Sequence, residues 1–142
     1  INQGLLDAMK QHIEKHGFPA STGKSHYMDY FASLHINRSR WLRVQDALSA
    51  LEKLKTEGDC RVMVALLPLC VDFKPYYLEP VHKFLDAEIS KHEFEVIDLH
   101  TVLKDDDPLK LALSDSDRVH YSEFGHQRLA EELFKALTAE RP

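Results

Sequence analysis

A chain of 142 residues has room for one domain that buries roughly two thirds of the surface its unfolded form exposes. With 44% hydrophobic and 29% charged residues and a formal net charge of −5, the composition is that of an ordinary globular domain and excludes a general binder of nucleic acid or anionic membrane. The longest apolar run, residues 62–67, is far short of the about 20 residues a transmembrane helix needs, so no membrane span is expected.

Nothing near Ile1 resembles a signal peptide. The chain starts with Ile rather than Met, so the natural N-terminus is expected upstream, with any targeting signal. Cys60 and Cys70 flank the apolar run. If that run is a strand rising about 3.3 Å per residue, their Cα atoms lie tens of ångströms apart, against the less than about 7 Å a disulfide requires. Two unpaired thiols lean toward a reducing compartment such as the cytoplasm.

Leu5, Leu6, Met9 and Ile13 mark one face of a first helix ending near Gly17, a residue suited to a left-handed cap. Residues 18–25 read as a loop. Tyr27, Tyr30, Phe31 and Leu34 recur at three and four in a short helical stretch. A longer helix follows, with Ser39 as its expected N-cap, Trp41, Val44, Leu48 and Leu51 inward, and Gly58 at its close.

Residues 61–67, RVMVALL, are apolar after the first and bounded by Gly58-Asp59 and Pro68, the pattern of a strand buried on both faces. Pro80 opens another helix with Val81, Phe84, Leu85 and Ile89 inward. Residues 94–99, FEVIDL, read as a second buried strand. A polar loop, KDDDPLKLALSDSD, leads to DRVHYSEFGHQRLAEEL, in which Asp117 and His120 stand three apart before a last helix over 122–137.

Strands separated by a helix imply a right-handed parallel crossover and an α/β fold with helices on both faces. Two parallel strands are too few to cover five helices, because open sheets usually hold about four to six. The pattern therefore reads as the C-terminal part of a doubly wound domain, with residues 1–142 forming a single piece of it. The sequence shows no internal repeat and no interdomain linker.

Asp117-x-x-His120 carries the chemistry. A carboxylate beside an imidazole accepts the Nδ1 hydrogen, fixes the tautomer and leaves Nε2 to take a proton from a hydroxyl nucleophile. The plain alternative is a turn cap with a surface histidine beside it. The motif follows a polar loop after the last strand, where open α/β sheets place binding residues.

DRVHYSEFGHQRLAEELFKAL resembles the C-terminal block of the SGNH/GDSL hydrolases, an Asp-x-x-His followed by Gly125-His126 and a packed helix. RVMVALLPL, the helix from Pro80 and FEVIDL follow that family's order of strand, proline, helix and strand ending in aspartate. The resemblance covers roughly residues 39–138. It implies a three-layer α/β/α, flavodoxin-like fold and hydrolysis or transfer of O-acyl groups, from acetylated glycans or small esters, by a Ser-His-Asp triad. His120 would be the general base and Asp117 its orienting carboxylate. No cofactor or metal is implied.

The family's Gly-Asp-Ser turn and its oxyanion Asn do not occur here. Gly58-Asp59-Cys60 imitates the former but precedes a strand, where it reads as a helix end and turn. Asn2-Gln3-Gly4 lacks a preceding strand, and Ser21, Ser25, Ser114, Ser116 and Ser122 lack a strand-turn-helix setting. The nucleophile and oxyanion donors are thus expected on a missing N-terminal segment, in the same polypeptide or a companion chain. The alternative from another class is a non-catalytic α/β module that pairs with a partner through its open sheet edge.

His12 and His16, at i and i+4, have a zinc-capable spacing but no third ligand, and read as a solvated helix end. His100 and His126 read as packing residues. Tyr76 and Tyr77 fit a cleft wall and a core equally. Asp105, Asp106 and Asp107 read as a solvated loop without the alternation of a calcium site.

Overall fold

The computed structural model describes residues 2–16, 33–35 and 37–139. The loop expected over 18–25, the proposed cap at Gly17, and Tyr27, Tyr30 and Phe31 lie outside the described residues; Leu34 falls in a helical turn over 33–35. The protein is of mixed α/β type and divides into two compact units, Ile1–Val64 with Tyr77–Val96, and Ala65–Tyr76 with Ile97–Pro142.

In the first unit, α1 (Gln3–His16) buries Leu5 and Met9 and packs against α3 (Glu79–Ser90), which buries Val81, His82 and Ile89. Between them in sequence, α2 (Arg38–Gly58) buries only Trp41 and Leu48. Trp41 meets Phe84 of α3 at 4.9 Å between ring centroids. Leu51, expected inward, is exposed with Leu54. The helix begins at Asn37 rather than Ser39: the Asn37 carboxamide oxygen accepts from the N–H groups of Ser39 at 3.1 Å and Arg40 at 3.3 Å, satisfying donors that a helix start leaves orphaned. At the far end Asp59, not Gly58, takes the left-handed cap at φ 44°, a conformation aspartate tolerates better than most residues.

β1 (Met63–Leu66) and β2 (Glu95–Asp98) form a two-stranded sheet. At its start, Arg61 Nε donates to Glu95 at 2.7 Å, and its Nη2 pairs with the same carboxylate. The expectation of strands buried on both faces is corrected here. Met63, Val64, Ala65 and every residue of β2 are only half-buried, and Leu66 alone is buried. In a sheet of two strands each has a single neighbour, so an apolar sequence does not by itself bring cover.

The second unit departs most from expectation. The stretch read as a polar loop contains α5 (Pro108–Leu111) and β3 (Ala112–Ser114), after a short α4 (Leu99–Leu103). Asp107 followed by Pro108 is a cap and first turn: the Asp107 carboxylate accepts from Leu109 N–H at 2.9 Å. Asp98 caps α4 in the same way, accepting from His100 N–H at 3.0 Å. The acidic run is accordingly engaged, with Asp105 paired to Lys74 and Asp106 to Arg128. Leu99, Leu103 and Leu111 are fully buried.

β3 pairs antiparallel with β4 (Asp117–Tyr121), a hairpin where only a turn was expected. The last helix, α6 (Glu123–Thr138), packs on α4, α5, β3 and β4. Ser122 caps it, accepting from Gly125 N–H at 3.1 Å, while its own hydroxyl donates to the Lys110 carbonyl at 2.7 Å and its N–H to the Leu111 carbonyl at 2.8 Å. Glycine at 125 is required by this close approach, because a Cβ there would lie 2.4 Å from the Leu111 carbonyl oxygen. Among the described residues no helix is long and apolar enough to cross a membrane.

Candidate active site

Asp117 and His120 lie on one strand, at a separation that would normally point their side chains to opposite faces. The register of the hairpin removes the difficulty. Ala112 pairs with Tyr121 and Ser114 with Asp117, so two steps along β3 match four along β4. The extra residues bunch into a bulge, and the bulge brings the two side chains into contact.

The contact uses the whole carboxylate. Asp117 Oδ2 is 2.8 Å from His120 Nδ1, and Oδ1 accepts from the backbone N–H of His120 at 3.0 Å and of Val119 at 3.1 Å. The His120 N–H first, and then its ring, hold the Asp117 carboxyl below the usual carboxylate range; partial desolvation opposes them, and Val119 N–H adds to the stabilisation. The His120 side chain is 72% exposed, and its Nε2 has no hydrogen-bond partner among the described residues. The geometry fits an imidazole fixed at one nitrogen and presented to solvent at the other.

The hairpin is tied to the segment that follows β1. Cys70 N–H donates to the Arg118 carbonyl at 2.9 Å, and Arg118 Nη1 reaches back to the Cys70 carbonyl at 3.5 Å. The buried Tyr121 hydroxyl donates to the Pro68 carbonyl. Burial pushes the Cys70 thiol up to about 11, with the neighbouring Tyr121 hydroxyl and the Arg118 charge opposing it, and raises the Tyr121 phenol as well. Both are structural groups, poorly placed to ionise near neutral pH. Sequence reasoning did not single out Tyr121 or Arg118. Their roles depend on the register of the hairpin, which the residues of DRVHY do not mark by themselves.

The other candidates resolve into packing. Tyr76 and Tyr77 are buried, so neither lines an open cleft. The Tyr76 hydroxyl accepts from Leu69 N–H at 2.9 Å, and its ring stacks on the buried His100 at 4.2 Å. His100 Nε2 lies 3.2 Å from the Phe73 carbonyl. His126 sits in the first turn of α6, its ring 6.1 Å from that of Tyr121. Cys60 is exposed beside the end of α2 and Cys70 is buried; both thiols are free. Ser114 and Ser116 shape the hairpin turn, with their hydroxyl oxygens 3.1 Å apart and Asp117 N–H donating to Ser114 at 3.1 Å. The reading of a solvated helix end holds for the exposed His16 and is corrected for His12, whose Nε2 is buried. Among the described residues no group of three or more His, Cys, Asp or Glu side chains is placed to hold a metal ion.

Compared with known proteins, the chain matches no protein-family model, no curated protein and no solved structure.

Proposed function

We propose that this chain supplies the general base and its orienting carboxylate to a serine-dependent ester hydrolase or acyl-ester transferase of SGNH/GDSL type, acting on O-acyl esters such as acetylated glycans or small esters. The observation that carries the reading is the Asp117–His120 contact at 2.8 Å, with Nε2 turned out on an exposed side chain. In this mechanism a serine hydroxyl attacks the ester carbonyl as Nε2 takes its proton. The imidazolium then returns that proton to the leaving alkoxide, and water or an acceptor alcohol repeats the cycle on the acyl-enzyme.

Asp117 holds the tautomer and stabilises the imidazolium. The nucleophilic serine and the oxyanion donors are assigned to polypeptide outside these residues, in the same flavodoxin-like fold, because no serine among the described residues sits on a strand-turn-helix nucleophile turn. The mechanism calls for no cofactor.

The test uses the longest polypeptide that contains this chain, with a fluorophosphonate probe and p-nitrophenyl acetate as reagents. Labelling and turnover should both vanish in His120→Ala, and Asp117→Asn should lower turnover by about 10²–10⁴-fold. A serine-containing form that neither labels nor turns over would sink the enzyme reading and leave a non-catalytic module that pairs through the β1–β2 sheet edge.

A further inference from the structure

The first unit contains histidines that no catalytic reading uses. His12 lies on α1 seven residues after Leu5 and three after Met9, both buried, and so continues the stripe by which α1 packs against α3. Its ring centroid is 4.7 Å from that of His16, and its Nε2 is buried with no hydrogen-bond partner among the described residues. His35 stands edge-on to Trp41 at 6.3 Å, and its Nδ1 is likewise buried with no partner among the described residues. His82, on α3, is buried.

An imidazolium must donate from both nitrogens, whereas a neutral imidazole can leave one as an unused acceptor. Protonating His12 or His35 would therefore place a donor where no acceptor waits, the costly side of the hydrogen-bond ledger. The surrounding charges add to the cost. Around His12 stand His16 and Lys15 on its own helix, and Glu79 and Lys83 on α3; His82 of α3 faces His35. Glu79 alone of these favours a proton on His12, and Lys83 already holds it at 2.6 Å.

We propose that α1 is an acid-releasable clasp, in which proton uptake by His12 under mildly acidic conditions loosens its packing against α3. Burial, and then the neighbouring cationic and imidazole groups, hold both rings below the ordinary histidine range. The sign follows. An unfolded or opened segment binds protons from about pH 6.5 downward while the packed one does not, so the clasp is at full strength above that pH and weakens as pH falls toward the lower folded values.

The experiment is amide hydrogen exchange of the 142-residue chain at pH 7.5 and 5.5, each corrected for intrinsic exchange, with histidine ring titrations by NMR alongside. Protection along α1 should fall several-fold at the lower pH in the wild type and much less in His12→Gln. The proposal is overturned if wild-type protection does not change, or if His12→Gln loses as much. Should that variant fail to fold, the wild-type titration decides: a His12 ring signal that titrates at or above the free-histidine value refutes it, and a lower value supports it.

Discussion

The Cα of Gly125 stands so near the Leu111 carbonyl that a methyl group added to it would lie 2.4 Å from that oxygen and 3.0 Å from the Tyr121 ring. The obstacle on the first side is backbone, fixed by the Ser122 N–H that the same carbonyl accepts at 2.8 Å. Gly125 thus sets how closely the first turn of α6 seats against the end of α5 and against the strand bearing His120.

From this, Gly125→Ala should destabilise the protein even though alanine is the better helix former by about 1 kcal/mol. The overlap forces the helix start to shift, at a cost of about 1–3 kcal/mol. Urea unfolding followed by circular dichroism measures it. A midpoint equal to or above the wild type would show that the approach relaxes without cost.

Tyr121→Phe removes the hydroxyl that donates to the Pro68 carbonyl. Leaving a buried carbonyl without its partner costs about 1–3 kcal/mol. The same unfolding measurement should report a loss in that range. An unshifted midpoint would mean that water replaces the hydroxyl at no penalty.

The two thiols should differ sharply toward a disulfide reagent. Cys60 is exposed, while Cys70 is 0% accessible, and a thiol pushed up to about 11 is ionised at pH 8 to only about one part in a thousand. With Ellman's reagent at that pH, one equivalent should react promptly in the native chain and the second only after denaturant is added. Two prompt equivalents would contradict the buried placement.

Legibility varied with the signal each segment carried. Long helices could be read from their apolar periodicity, as Leu5 and Met9 on α1 and Trp41 and Leu48 on α2 show. The strands at 63–66 and 95–98 were legible as strands, but their burial was not: half-cover depends on how many neighbours a strand has, which no local pattern encodes. The hairpin of β3 and β4 escaped because β3 has only three residues and β4, DRVHY, has no clean alternation. For the candidate site, the pairing of Asp117 with His120 could be anticipated from spacing and chemistry. Its support from Val119 N–H, Tyr121 and Arg118 depends on a register visible only in three dimensions. His12 was misjudged because a histidine on a helix end reads as polar, although its spacing from Leu5 and Met9 already placed it on the packing stripe.

The bulge in β4 has a consequence for how this segment can vary. Two surplus residues opposite β3 make the count of amino acids from 117 to 120 the quantity that matters, while Val119 joins the Asp117–His120 contact through its backbone N–H. Single-residue insertions or deletions here would turn the imidazole to the other side of the ribbon, whereas exchanges at 119 would leave its aim intact. Length, more than identity, is what this short stretch has to preserve.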